Sequence, residues 1–236
     1  MKNGILGATA ILAIGGLTLA MAASFPDPPK STAPAQTTTS AVLAGGCFWG
    51  MQGIFEHMKG VTNTVVGYAG GKKETARYER VEDGDTGHAE SIKITYDPSK
   101  ISYGDLLKVY FSAAHDPTTL NRQHYDQGTQ YRSAIFYADD EQKKEAEAYI
   151  KELNDANVAK SMHWDGNKIV TQVVPLTGFY PAEAYHQHYL DLVAACDANP
   201  KPQCGSLNAG YIHSLDVPLL KRFQSEYPDL YVKESR

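Results

Sequence analysis

Cysteine is scarce in this sequence, and neither sign of charge dominates it. The chain has 236 residues but only three cysteines, which is too few for a disulfide scaffold. No CxxC or HExxH spacing occurs, so no familiar motif points to a metal or an organic cofactor. The 22 basic and 27 acidic side chains give a net charge of −5, which excludes a broad basic face for nucleic acid and a polybasic membrane patch. We therefore expect the partner to be a small molecule or another protein.

Long hydrophobic runs are also absent, except at the N-terminus. Lys2 is followed by an apolar, uncharged stretch from Ile5 to Ala22. It ends in small residues that signal peptidase accepts, so residues 1–22 are predicted to be a secretory signal that is cut before Ala23. The alternative is an uncleaved anchor, because the run approaches the roughly 20 residues that span a bilayer. Cleavage predicts an exported, periplasmic protein whose thiols can pair.

Residues 23–40 have little apolar content. They are rich in Pro, Ser and Thr, and such a segment cannot bury enough surface to offset its ordering entropy. We predict that this segment is a flexible linker and that the folded part starts near Ala41. Residues 41–195 have the length of one domain, and residues 196–236 are predicted to be a C-terminal extension.

Strand-like and helix-like patterns alternate along the folded part. Strands are predicted at residues 41–44, 61–68, 91–96, 133–137 and 169–175. Helices are predicted to begin at Cys47, to cover 102–114 and 139–155, and to start again at Pro181 with an inward stripe of Tyr185, Tyr189, Leu192 and Val193. This order predicts an α+β two-layer sandwich with a mixed sheet, namely a ferredoxin-like core with additions.

The segment GGCFWG, residues 45–50, carries the strongest chemical signal. Cys47 follows two glycines and begins an apolar helix pattern, so its thiol is predicted to lie in the first helical turn. The helix dipole and the unpaired backbone N–H groups favour a thiolate there, which predicts a lowered pKa and a nucleophilic Cys47. Phe48 and Trp49 place aromatic rings beside the sulfur. The alternative is a buried structural cysteine in an apolar helix.

A second cluster, GDTGHAE, occupies residues 84–90. Glu90 lies where a glycine-rich loop enters a strand, and there a carboxyl can be half buried with its pKa raised toward neutrality. Such a group can deliver a proton. The alternative for Glu90 is a solvent-facing strand residue. His88 is interpreted as a turn-stabilising residue rather than a base or a ligand.

A third cluster, YDQGTQYRSAI, covers residues 125–135. Asp126 and Tyr131 lie on a loop that returns to a strand, and with Tyr78 they supply two hydroxyl donors and a hydrogen-bonding acid. Such donors suit a polar, uncharged substrate oxygen. The alternative is that these tyrosines, in a chain with 15 of them, serve only in packing.

Together the three clusters resemble the type A peptide-methionine sulfoxide reductases. Between Val42 and Leu190 the chain carries, in the order of that family, GCFWG, Tyr78, TGHAE at 86–90, HDPTT at 115–119, DQGTQYRSAI at 126–135 and FYPAEAYHQHYL at 179–190. The resemblance implies reduction of methionine S-sulfoxide, free or in oxidised proteins, without a metal or an organic cofactor. It also implies an external thiol reductant such as a thioredoxin-like protein, and we expect the chain to be a monomer.

The resemblance also implies a role for each matching residue. Cys47 would be the thiolate that attacks the sulfoxide sulfur, and Glu90 the acid that protonates the departing oxygen. Tyr78 and Tyr131 would donate hydrogen bonds to that oxygen, and Asp126 would shape the pocket. Phe48 and Trp49 would form the wall that holds the substrate methyl group. The reaction would leave Cys47 as a sulfenic acid, which a thiol then reduces through a disulfide.

The match to the family stops after Leu190. Many members carry recycling cysteines in a C-terminal tail, and Cys196 and Cys204 fall in that region without a tail motif that matches. Cys196 continues the predicted inward stripe and would be buried, whereas the composition around Cys204 indicates a mobile loop and favours it as the resolving thiol. The alternative is a structural disulfide between the two, with Cys47 as the odd thiol. Residues 211–231 resemble the extension of another family branch, which packs on the core.

Three other functions are consistent with parts of the sequence. A cysteine hydrolase would pair Cys47 with His88, His186 or His188 as the base. A thiol peroxidase would form the same sulfenic acid but accept a hydroperoxide. A non-catalytic exported binding domain would leave GCFWG and TGHAE without a role.

Overall fold

The computed structural model describes residues 25–29 and 40–233. The predicted signal peptide and most of the predicted linker lie outside these residues. The five linker residues that are described contact the folded domain: Phe25 packs against Trp164, and the Tyr149 hydroxyl donates a 2.6 Å hydrogen bond to the Pro26 carbonyl. The prediction of a flexible linker is therefore wrong for residues 25–29, because one aromatic ring supplies burial that the average composition hides. None of the helices in the described part is long and apolar enough to cross a membrane.

Eight strands are present in the described residues: β1 (Ser40–Ala44), β2 (Val61–Ala69), β3 (Ala89–Tyr96), β4 (Arg122–Gln123), β5 (Asp126–Gln127), β6 (Ala134–Tyr137), β7 (Gln172–Pro175) and β8 (Phe179–Pro181). Six of them form one sheet in the order β7-β6-β1-β3-β2-β8, and β4 pairs with β5 in a separate hairpin.

The centre of the sheet has the topology that the order of elements predicts. Strands β6, β1, β3 and β2 pair antiparallel, and β3 lies between β1 and β2, which are joined by a helix. This is the split βαβ arrangement of a ferredoxin-like core. At one edge β7 adds parallel to β6, and at the other β8 adds antiparallel to β2. The predicted α+β class with a mixed sheet is confirmed.

The helices are α1 (Phe48–Glu56), α2 (Tyr78–Val81), α3 (Tyr103–Val109), α4 (Asp140–Asp155), α5 (Val158–Ser161), α6 (Tyr189–Ala198), α7 (Ala209–Tyr211) and α8 (Val217–Glu226). Two π-helical turns continue α3 and α7, at Tyr110–Ala114 and Ile212–Asp216. Short 3₁₀ turns lie at Lys73–Thr75, Thr129–Tyr131, Ala184–His186 and Pro202–Ser206. The segments that join β2 to β3 and α3 to β6 therefore contain short ordered elements.

The prediction for the last helix of the domain is wrong at its start. Pro181 ends strand β8, whose backbone pairs with β2 from Gly67 to Ala69, and the helix begins only at Tyr189. Tyr185 and Leu192 are 55% and 43% exposed, so the inward stripe contains only Tyr189 and Val193. The free edge of β2 explains the difference, because pairing with it satisfies backbone groups of residues 179–181 that a helix would otherwise use.

The C-terminal extension packs on α1. Phe223 of α8 is fully buried in the main core, and Leu219, Leu220 and Tyr227 lie against the same cluster. At the far end, Tyr231 forms a β-bridge with Met58 just after α1. The extension thus covers the helix that begins at Cys47.

A buried tyrosine supports the strand that leads to Cys47. The Tyr110 hydroxyl, at the start of a π-helical turn, donates to the Ala44 carbonyl at 2.8 Å and lies 2.9 Å from the Ser133 hydroxyl. His115 contacts the same Ser133 hydroxyl at 2.7 Å through Nε2. These bonds join the ends of β1 and β6 directly before the GGCFWG segment.

Candidate active site

Cys47 is the N-cap residue of α1, as the glycine and apolar pattern predicts. The two preceding glycines are needed for space: a Cβ at Gly45 would lie 2.8 Å from the His115 ring, and one at Gly46 would lie 2.7 Å from Gln123. Gly46 also has φ of +87°, which L side chains rarely adopt. Its N–H donates to the Tyr131 carbonyl at 3.2 Å, so the turn before Cys47 is fixed against the 3₁₀ turn that carries Tyr131.

Glu90 is buried beside the start of α1. It is the second residue of β3, only 4% of it is exposed, and its Oε2 accepts a 3.0 Å hydrogen bond from the Phe48 N–H. Burial raises the pKa of this carboxyl to about 8; the Phe48 N–H opposes the shift, and the charges of Asp126 and Asp216 add to it. Glu90 is therefore a largely protonated acid at neutral pH rather than a solvent-facing strand residue.

All seven pocket residues named from the sequence line one cavity of about 140 Å³, together with Asn208 and Tyr211: Cys47, Phe48, Trp49, Tyr78, Glu90, Asp126 and Tyr131. They come from five separate parts of the chain, which the fold joins at the N-terminal end of α1. The Tyr78 backbone N–H is held by Glu183 Oε1 at 3.0 Å, and this contact fixes the start of α2 at the cavity.

One wall of the cavity is aromatic. Phe48 is buried, and Trp49 stacks on Tyr189 with ring centroids 3.8 Å apart. The indole N–H of Trp49 donates to His186 Nδ1 at 3.2 Å, so the orientation of the ring is fixed. A rigid apolar wall of this kind suits a methyl or thioether group.

The tyrosines at the cavity are neutral donors. Burial, followed by the charge of Glu90, raises the pKa of Tyr78 to about 12, and the same causes raise the pKa of Tyr131 further. Both hydroxyls therefore keep their protons at any physiological pH. Burial also raises the pKa of Asp126, although the hydrogen bond that Asp126 accepts from the Tyr211 hydroxyl opposes the shift.

The prediction of a lowered pKa for Cys47 is wrong. Burial raises the pKa of the thiol well above its ordinary value, and the nearby carboxyls of Glu90 and Asp216 raise it further. The Trp49 N–H in the first turn of α1 acts in the predicted direction but is a smaller effect. Cys47 therefore rests as a thiol.

Three residues at this end of α1 escaped the sequence analysis: Asn208, Tyr211 and Asp216. Tyr211 donates to Asp126 and meets the Trp49 ring edge to face, with centroids 6.1 Å apart. Asp216 is buried, its Oδ2 has no hydrogen-bond partner, and burial raises its pKa to about 8. A π-helical turn bonds residues five apart, so Tyr211 and Asp216 lie one turn apart on the same side. They line a second, very small cavity with Cys47.

The histidines proposed for a cysteine hydrolase have other partners. His88 contacts the Gly71 N–H and the Lys72 carbonyl through its two ring nitrogens, which is the turn-stabilising role that the sequence favours. His186 binds Trp49, and His188 binds Glu56 at the opposite end of α1. None of these three lines the cavity with Cys47.

Cys196 and Cys204 form a disulfide, and Cys47 is free. Cys196 lies on α6 and Cys204 in the 3₁₀ turn at Pro202–Ser206. Cys196 is partly exposed rather than buried, because the predicted inward stripe does not continue along α6. Both roles considered for this pair, as resolving thiols or as a structural disulfide, are compatible with the bond.

Comparison with known proteins agrees with this chemistry. The family model described as peptide methionine sulfoxide reductase matches residues 39–208. The peptide methionine sulfoxide reductase MsrA 2 of Synechocystis sp. is 45% identical over 209 residues, which are 87% of this chain and 89% of that protein. The MsrA 2 protein of Mesorhizobium japonicum is 48% identical over 202 residues, which are 86% of this chain and 93% of that protein.

Solved structures with the same fold carry related names. Methionine sulfoxide reductase A of Corynebacterium diphtheriae superposes with a TM-score of 0.59 and 33% identity, covering 69% of this chain and 77% of that one. Mxr1 from Saccharomyces cerevisiae in reduced form superposes with a TM-score of 0.58 and 34% identity, covering 72% and 91% of the two chains.

Replacing Asp216 with Asn should lower the pKa of Cys47, because the carboxylate that opposes loss of the thiol proton is removed while the shape is kept. The rate of Cys47 alkylation by iodoacetamide, followed against pH in protein with the Cys196–Cys204 disulfide intact, measures this pKa. Asp197→Asn, an exposed acid on α6, is the control and should leave the profile unchanged. Identical profiles for wild type and Asp216→Asn would show that Asp216 does not act on the thiol.

Proposed function

The chain belongs to the peptide methionine sulfoxide reductase family, a family of thiol-dependent oxidoreductases that reduce methionine sulfoxide, and from this premise we propose how its residues act. The substrate is the S epimer, free or in oxidised proteins. Cys47 attacks the sulfoxide sulfur, and Glu90 protonates the departing oxygen. The observation that supports this proposal most directly is the shared cavity, in which a free thiol, an uncharged buried carboxyl and an aromatic wall face one small space.

The substrate's chemistry matches that space. A sulfoxide is a dipolar S–O group on an otherwise apolar side chain, so its site needs an apolar wall for the methyl group and donors for the oxygen. Phe48 and Trp49 supply the wall, and the hydroxyls of Tyr78 and Tyr131 remain neutral donors. Asp126 and Tyr211, joined by a hydrogen bond, complete the lining.

Protons and electrons balance within the site. Glu90 gives its proton to the sulfoxide oxygen, and the resulting carboxylate accepts the proton of the Cys47 thiol as the sulfur attacks. The attack forms a bond between the Cys47 sulfur and the substrate sulfur. The S–O bond of the substrate then breaks as its hydroxyl moves to the Cys47 sulfur and the bond between the two sulfurs breaks, so that Cys47 becomes a sulfenic acid and the thioether methionine is released. The two-electron oxidation of Cys47 equals the two-electron reduction of the sulfoxide. Glu90 ends this sequence protonated, as it began.

Cys196 and Cys204 then recycle Cys47. We propose that Cys204, which lies in a short turn of a polar loop, attacks the sulfenic acid, so that water leaves and a Cys47–Cys204 disulfide forms. Cys196 attacks this disulfide, frees the Cys47 thiol and forms the Cys196–Cys204 disulfide that the structure contains. A structural disulfide is the competing role for the same bond.

An external thiol reductant, such as a thioredoxin-like protein, completes the cycle by reducing that disulfide. A surface groove of about 370 Å³ supports access by such a donor, because Cys196 lines it beside Leu192, Ala195 and Leu207. We further propose that the chain is a monomer that repairs oxidised proteins in an exported compartment, the bacterial periplasm. The apolar, uncharged stretch at residues 5–22 supports export.

Purified protein should release methionine from methionine S-sulfoxide when dithiothreitol is present, and Cys47→Ala should release none because the attacking sulfur is gone. Chromatographic measurement of methionine separates the possibilities. Cys204→Ala is the matched control. It should still release methionine, since dithiothreitol can reduce the Cys47 sulfenic acid directly. Absence of turnover by wild type would reject the reductase, and turnover by Cys47→Ala would reject the nucleophile. Hydrolysis of esters or reduction of hydroperoxide instead would support the hydrolase or the peroxidase.

Replacing Glu90 with Gln should slow the first step by about 10²–10⁴-fold, because Gln can still accept from the Phe48 N–H but cannot donate a proton as an acid. In wild type the rate should fall as the pH rises through about 8, where Glu90 loses its proton. Single-turnover methionine release against pH measures both effects. Glu74→Gln, at an exposed position, should behave as wild type. A Glu90→Gln rate within threefold of wild type would place the acid elsewhere.

The recycling scheme predicts a stoichiometry. Fully reduced wild type, given excess methionine sulfoxide and no reductant, should release about two methionines per chain, whereas protein with the Cys196–Cys204 disulfide should release about one. In reduced Cys196→Ser, a Cys47–Cys204 disulfide should accumulate and be found by mass mapping. A structural disulfide instead predicts about one methionine from both redox forms, with no disulfide to Cys47.

A further inference from the structure

A second cluster of ionisable residues lies at the opposite end of α1 from Cys47. Glu56 is the last residue of α1, His188 is the N-cap of α6, and Asp191 is in the first turn of α6. One possible ligand atom from each of these residues lies within 4.8 Å of the other two. The reaction proposed above uses none of them.

Glu56 is the unusual member of this cluster. Its side chain is fully buried, and although Oε2 lies 2.8 Å from His188 Nδ1, the other oxygen, Oε1, has no hydrogen-bond partner. A buried polar atom without a partner is costly, and in native proteins it indicates a role or an absent ligand. The single imidazole of His188 does not satisfy this carboxyl.

The backbone holds His188 at Glu56 in an uncommon conformation. His188 has φ of +53°, in the left-handed region, and its N–H donates to Gln52 Oε1 at 2.7 Å. Gln52 lies one turn before Glu56 in α1, so this hydrogen bond holds His188 next to Glu56. The position of His188 beside Glu56 is thus fixed by α1.

We propose that Glu56, His188 and Asp191 bind a divalent cation of the zinc class. One imidazole nitrogen and two carboxylate oxygens are a donor set that Zn²⁺ accepts, and two negative charges balance the charge of the ion. Ca²⁺ and Mg²⁺ take oxygen ligands almost exclusively, so a site with an imidazole disfavours them. His188 is about half exposed, so solvent can supply the fourth ligand and the ion has a route to the site.

The geometry requires only small movements. Ligand atoms at about 2.0–2.2 Å from a tetrahedral ion lie roughly 3.4 Å from one another. The 2.8 Å contact between Glu56 and His188 must therefore lengthen slightly. No two ligand atoms are more than 4.8 Å apart, so none of these distances must shorten by more than about 1.4 Å.

Binding would fasten the start of α6 to the end of α1. The chemistry at Cys47 lies at the other end of α1, so this proposal does not depend on the proposed function. Cys196 lies near the C-terminal end of α6, so an ion here would stabilise the helix that carries the disulfide without contacting it.

Calorimetric titration with ZnCl₂ tests the site in untagged Cys47→Ala protein with the Cys196–Cys204 disulfide intact, because no free thiol then competes for the metal. We expect one ion per chain, an affinity that an excess of Mg²⁺ does not reduce, and a rise in Tm of about 5 °C or more at saturating Zn²⁺. His188→Gln keeps a hydrogen-bonding side chain but removes the ligand, and should weaken binding about tenfold or more and abolish the shift in Tm.

The matched control is His213→Gln. His213 pairs with Asp197 at 2.8 Å on the surface of the same part of the chain and belongs to no such cluster. It should bind Zn²⁺ as the Cys47→Ala parent does. Absence of saturable binding by the parent, or equal affinities for His188→Gln and His213→Gln, would overturn the proposal. If His188→Gln is less stable without metal, Asp191→Asn provides the same comparison at the partly buried third ligand.

Discussion

The hydrogen bond from the Phe48 N–H to Glu90 joins the first turn of α1 to strand β3, and the rest of the site is arranged around it. It holds a buried acid beside the thiol at the wall of the cavity. Burial favours the protonated carboxyl, whereas the N–H favours the carboxylate, and burial is the larger effect because the pKa is raised to about 8. A carboxyl with a pKa near neutrality can both give and take a proton during one reaction.

The C-terminal extension contributes to the lining of this place. Tyr211 and Asp216 lie against the N-terminal end of α1, and Phe223 fixes the following helix in the main core. The space under the first turn is tight, because a Cβ at Gly50 would lie only 2.4 Å from Asp216 Oδ1. The extension is therefore a part of the site: Tyr211 and Asp216 line a cavity with Cys47, and the charge of Asp216 adds to the raised pKa of both Cys47 and Glu90.

The sequence predicts those parts of the site that depend on local pattern. The strands, the helix at Cys47 and the α+β topology follow from periodicity, and the pocket residues follow from motifs that each occupy a short segment. Tyr211 and Asp216 do not, because no pattern links them to α1 across more than 150 residues of chain. The lowered pKa predicted for Cys47 is wrong for the same reason. The dipole of α1 is local, whereas burial, which opposes it most, and the carboxyls of Glu90 and Asp216, which add to burial, depend on distant parts of the chain. The predicted helix start at Pro181 is wrong for a similar reason, since pairing with the free edge of β2 decides the structure of residues 179–181.

A resting thiol, rather than a resting thiolate, changes how such a site achieves selectivity. The thiolate is the form that peroxides oxidise, so a Cys47 held protonated by burial and by neighbouring carboxyls resists oxidants that bring no proton acceptor. In the proposed mechanism a bound sulfoxide differs because it takes the proton of Glu90, and the carboxylate so formed deprotonates the thiol. Acid and nucleophile are then activated by one proton transfer, and only a substrate whose oxygen reaches Glu90 while its sulfur reaches Cys47 can start it. Selectivity would then come from coupled protonation as well as from the shape of the pocket.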